Sequence, residues 1–86
     1  MTKGQSAFLT FLSQNYFNQS VWLAADGKPA TTGMQRLTIF EVASAGKSVR
    51  IDADELRPIR KLYEFSVTAN ALVLTMTGRR ALEGVG

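Results

Sequence analysis

Between Leu72 and Glu83 the chain reads Leu-Val-Leu-Thr-Met-Thr-Gly-Arg-Arg-Ala-Leu-Glu, and this run limits the possible folds more than any other. Residues 72–74 form a short β-rich segment that reads as a half-buried strand. Thr75 is suited to cap the turn that follows, and Gly78 permits close approach of another backbone. Leu82 then returns to the core on a short basic helix. The segment before it, Glu64 to Leu74, reads as a hairpin that turns at Thr68-Ala69-Asn70. Its inner face is expected to carry Phe65 and Val67 on one strand and Leu72 and Leu74 on the other.

A chain of 86 residues has room for one core, so residues 1–86 are expected to form one domain. With 45% hydrophobic and 20% charged residues, it has the composition of a folded globular protein rather than a disordered one. It contains no cysteine and no histidine, which removes thiol nucleophiles, disulfides, the usual zinc sites and imidazole acid–base chemistry together. Neither a carboxylate pair nor a Ser–Lys dyad has a spacing that points to catalysis. Asp52, Asp54 and Glu55 sit where acids favour a helix start. The composition therefore points away from an enzyme, a cofactor or a bound metal. Gly46-Lys47-Ser48 lacks the upstream glycine of a phosphate loop.

The chain reads as a helix from Gln5 to about Asn18, with Thr2 or Ser6 as its cap. Phe8, Leu12 and Asn15-Tyr16 recur at helical spacing, with Leu9, Phe11 and Phe17 widening the apolar stripe. So much aromatic surface on one helix predicts a homodimer seam there. The apolar run 7–12 is too short for a signal core and nothing approaches a membrane span, so a cytoplasmic location without membrane contact is expected. Val21 to Ala24 reads as a short strand closed by the turn pair Asp26-Gly27. Residues 28–33 read as a surface loop.

Residues 34–51 support two readings. As a helix, Thr38 would be the cap, Glu41 the capping-box acid, Ala43 the small residue at a helix crossing, and Gly46 the turn. As strands, the β-branched runs 37–42 and 48–51 would pair around Ala45-Gly46. After them, Leu56, Ile59, Leu62 and Tyr63 space out a helical stripe, with Pro58 in its first turn.

The net charge of +3 favours an acidic partner, and the cations cluster: Arg57, Arg60 and Lys61 lie within five residues, and Arg79 and Arg80 are adjacent. The pattern Leu-Thr-x-x-Gly-Arg-x-x-Leu at 74–82 resembles the close of the wing in MarR-like winged-helix DNA-binding domains, a resemblance carried by the second half of the chain. It implies an α+β fold, a small winged helix-turn-helix of order α-β-α-α-β-β-α, and a role as a DNA-binding regulator of transcription. Arg57, Arg60 and Lys61 would then lie on a recognition helix in the major groove, with Lys47 and Arg50 in the turn before it. Asn70 would mark the wing tip, and Arg79 and Arg80 would reach phosphate. Against the family pattern, the turn after Ala43 is one residue short, Pro58 interrupts the recognition helix, and the wing tip lacks its arginine. Small phage-encoded winged-helix proteins that block a host protein are similar in size. The strand reading of 37–51 gives the alternative, an α-β-β-α-β-β module that binds an acidic host protein.

Overall fold

The computed structural model describes residues 1–85 and is α+β, with two separate antiparallel sheets. Helix α1 spans Lys3–Gln14. Strands β1 (Gln19–Ala24), β2 (Leu37–Ser44) and β3 (Lys47–Asp52) follow, and form one sheet in the order β1-β2-β3. A four-residue helix α2 (Ala53–Leu56) then runs into a 3₁₀ segment, Arg57–Leu62. Strands β4 (Tyr63–Ser66) and β5 (Ala71–Leu74) make the second sheet, and α3 (Met76–Val85) follows it.

The region that sequence left open is β-structure: residues 38–45 belong to β2 and its turn, which follows the strand reading and overturns the reading as the first helix of a helix-turn-helix. Thr38, Ile39 and Val42 are β-branched, and a two-residue turn fixes the register from Ser44↔Lys47 to Ile39↔Asp52. The turn residues Ala45 and Gly46 have φ of +50° and +83°, the signs of a type I′ hairpin turn. Thr38 and Glu41 are therefore strand residues, and residues 38–45 supply no first helix for a helix-turn-helix. Alanine is a poor occupant of a left-handed position. Ala45→Asn should raise stability by about 0.5–1 kcal/mol in denaturant melts, because Asn-Gly suits this turn.

The expected recognition helix is also not continuous. Its α-helical part ends at Leu56, and the 3₁₀ segment kinks at Ile59 (φ −105°, ψ 18°). Pro58 fits the first turn of that segment, where a missing N–H costs nothing. The apolar stripe survives because positions three apart share a face in a 3₁₀ helix, so Leu56 and Ile59 are buried and Leu62 packs against the core.

Helix α1 starts at a capping box, with Gln5 N–H donating to Thr2 Oγ1 at 3.1 Å and Thr2 N–H donating to Gln5 Oε1 at 2.9 Å. It ends at Gln14, earlier than expected, and Asn15 caps it: that residue leaves the helical backbone conformation while its backbone and side-chain N–H groups both donate to Phe11 O. Of the four aromatics assigned to a dimer seam on this helix, Phe8 and Phe11 are spent inside the molecule, while Tyr16 and Phe17 stay exposed. Phe8 is fully buried, with its ring 5.3 Å from Tyr63 and 6.0 Å from Phe40, and Phe11 packs against the core. Tyr16 and Phe17 lie beyond the helix end.

The core joins Phe8, Leu9 and Leu12 of α1 to Phe40, Val42 and Ile51 of the large sheet and to Leu56, Ile59, Leu72 and Leu74. The β4–β5 hairpin forms as expected with Leu72 and Leu74 inside, but Phe65 is 55% and Val67 86% exposed. Phe65 pairs with Leu72 at the outer end of a four-residue strand, where the hairpin overhangs the core, and Val67 lies in its turn. The inner place opposite Leu74 is taken by Tyr63 instead.

Candidate nucleic-acid interface

The residues that resembled a wing closure do build a defined junction. Thr75 caps α3: its Oγ1 accepts from Gly78 N–H at 3.0 Å. The same hydroxyl donates to Lys61 O at 2.8 Å, and Thr75 N–H donates to Leu62 O at 3.1 Å. A Cβ on Gly78 would stand 1.9 Å from Leu62 O, so only glycine lets the first turn of α3 lie this close to the 3₁₀ segment. Leu82 packs against the core from the next turn.

One consequence is electrostatic. Arg60 and Lys61 occupy the last turn of the 3₁₀ segment, and Arg79 and Arg80 follow the glycine that touches it. All four are exposed, and among the described residues no carboxylate lies within ion-pair distance of any of them. Arg57 lies on the same segment but has Asp54 Oδ1 4.0 Å from its guanidinium, both side chains open to solvent. Such an exposed pair is weak and leaves Arg57 available in part. Burial pushes the Tyr63 phenol above its ordinary value of 10.0, while the nearby Arg60 charge draws it down. That phenol stays protonated at neutral pH and is no general base.

The other predicted site residues lie elsewhere. Lys47 opens β3 and α2 follows the strand's far end, so at about 3.3 Å per residue roughly 17 Å of strand separates Lys47 from the start of α2. Lys47 and Asn70 instead line an open groove of about 710 Å³ between the β2–β3 and β4–β5 turns, beside Phe17. Asn70 holds a left-handed φ of +51° there, which asparagine tolerates. Arg50, expected in a turn before a recognition helix, is mid-strand: its Nε donates to Glu41 Oε2 at 2.8 Å and its Nη2 to Gly27 O at 3.3 Å. Arg50 and Glu41 face each other across β2 and β3, so this cation serves the sheet.

Sequence reasoning missed Asn18. Its buried amide bridges the two sheets, with Nδ2 donating to Leu72 O at 2.9 Å and Oδ1 accepting from Leu72 N–H at 3.0 Å. Nothing in the polar stretch 18–20 marks that role. Among the described residues there is no group of three or more His, Cys, Asp or Glu that could hold a metal, and no helix is long and apolar enough to cross a membrane. No protein-family model, curated protein or solved structure matches the chain.

Proposed function

We propose that this chain is a non-catalytic regulator that binds double-stranded DNA, holding its phosphate backbone with the pole built from the 3₁₀ segment and α3. The observation that carries this reading is the seating of Gly78 on the Leu62 carbonyl, which brings the segments bearing Arg60, Lys61, Arg79 and Arg80 together with no carboxylate among the described residues within ion-pair distance of them. Arginine and lysine bind phosphate through charge-assisted hydrogen bonds and release condensed counterions, a term independent of sequence. With no recognition helix of a helix-turn-helix among the described residues, these contacts position the protein and give little base discrimination.

Four phosphate contacts predict a slope of log affinity against log salt of about −3.6. Fluorescence anisotropy with a labelled duplex measures it. Arg60→Ala with Lys61→Ala should flatten the slope by about two, and Arg79→Ala with Arg80→Ala by a similar amount. Arg57→Ala should do less, because Asp54 already neutralises part of its charge. Lys47→Ala, at the far end of β3, should leave the slope unchanged. Equal losses from Lys47→Ala and the Arg60/Lys61 pair would place the contact elsewhere. Absence of duplex binding at about 50 mM salt would reject DNA as the ligand and leave an acidic protein as the partner of this face.

A further inference from the structure

Charge is absent from a long part of this chain: residues 4–25 contain no Asp, Glu, Lys or Arg. Helix α1 buries much of its share, and the remainder ends in β1, an edge strand. Edge strands are ordinarily blunted by lysine, proline or a bulge, because their unpaired N–H and C=O groups template further pairing. Gln19 to Trp22 has none of these, and the irregularity in β1 falls later, at Leu23/Ala24. Only β2 pairs with β1, and among the described residues no other group bonds the backbone of residues 19–23.

Exposed aromatic surface lies along this edge. Tyr16 and Phe17, 58% and 76% exposed, stack edge-on with centroids 5.2 Å apart just before β1 begins. Phe65 lies across a notch from Gln19 and Ser20, and Val21 and Trp22 are also exposed. Each aromatic side chain presents about 150–250 Å² when fully open, so the four aromatics at their partial exposure, together with Val21, offer on the order of 500 Å² of apolar surface. A standard interface takes about 800 Å² from each partner, of which somewhat over half is apolar. The area available matches that need.

We infer that β1 pairs antiparallel with β1 of a second copy about a two-fold axis, joining two three-stranded sheets into one. A second copy fits because an isologous contact sets an uncharged edge against the same uncharged edge, so no charge is buried unpaired. The cations of the 3₁₀ segment and α3 lie on other elements and stay outside the seam. The inference is independent of the DNA reading, since it concerns a different surface.

Sedimentation equilibrium from about 10 to 100 μM tests it, because a dimer's population depends on protomer concentration. The wild type should reach twice the 9.4 kDa monomer mass. Amides of residues 19–22 should exchange more slowly as concentration rises. Val21→Lys places a charge on the edge beside Glu41 and away from the core, and Phe65→Ser removes an exposed ring. Each should weaken association at least about tenfold while the far-UV spectrum is retained. Ala7→Lys, on the exposed side of α1, should leave the dimer intact. A wild type that stays at 9.4 kDa throughout, or a dimer indifferent to both Val21→Lys and Phe65→Ser, overturns the inference. A dimer broken by Ala7→Lys alone overturns it too, by placing the seam on α1.

Discussion

Gly78→Ala should destabilise the fold by about 3 kcal/mol or more, the upper end of the cost of overpacking. The new Cβ would fall 1.9 Å from the Leu62 carbonyl oxygen and 2.9 Å from its carbon. That obstacle is backbone, which cannot rotate away as a side chain would. The helix itself gains from the change, since alanine is favoured over glycine in a helix interior by about 1 kcal/mol. The variant therefore sets helix propensity against docking, and docking dominates. The expected result is a melting temperature lowered by more than about 12 °C with helical signal retained below it. Gly84→Ala in the same helix meets nothing within 4 Å and should be neutral or stabilising. If the two variants behave alike, α3 is not seated on the 3₁₀ segment, and the grouping of Arg60 and Lys61 with Arg79 and Arg80 loses its basis.

The junction just described was legible in the sequence because it is local. A threonine three residues before a glycine, followed by a basic helix with one returning leucine, has few physical solutions, and the structure contains that cap and that close approach. The segment 38–45 was not legible in the same way. Thr38 and Glu41 have the spacing of a capping box, yet β-branching and the two-residue turn at Ala45-Gly46 decide the outcome through pairing with residues 47–52. Periodicity within eight residues carries no information about that partner strand. The fate of Arg50 follows from it: once 41↔50 is the register, a basic residue that looked free becomes the cross-strand partner of Glu41.

The candidate site shows the same division. Arg57, Arg60 and Lys61 cluster in sequence and stay clustered in space. Their grouping with Arg79 and Arg80 depends on one backbone contact across the junction between segments. Lys47 and Asn70, which the winged-helix resemblance grouped with them, meet at the opposite end because two separate hairpins turn there. Phe65 and Val67 were expected inside from alternation alone, but alternation gives a strand two faces without saying how far the core extends beneath it. The hairpin overhangs, and its end is exposed.

Asn18→Ala should cost about 2–4 kcal/mol, more than most changes at a polar residue. The Asn18 amide meets the N–H and the C=O of Leu72 as a neighbouring strand would, and both bonds are buried. Alanine would leave these two backbone groups without partners, each worth about 1–3 kcal/mol of desolvation when orphaned. It would also release Asn15 O, which accepts from the same Nδ2 at 2.8 Å, although that carbonyl is closer to solvent and easier to hydrate. Asn18→Asp separates hydrogen bonding from volume. Aspartate can still accept from Leu72 N–H, but it sets an anion against Leu72 O, where a donor is required. It should therefore be at least as destabilising as alanine near neutral pH and should recover part of the loss in acid, where a protonated carboxyl can donate to that oxygen. Urea melts of the three proteins at pH about 7 and about 3 read this directly. Because these bonds hold the β4–β5 hairpin to the start of β1, amides of residues 71–74 should lose exchange protection before those of β2 and β3 do. A cost under about 0.5 kcal/mol for Asn18→Ala, the scale of an ordinary surface change, would show that hydrophobic packing alone holds the two sheets together.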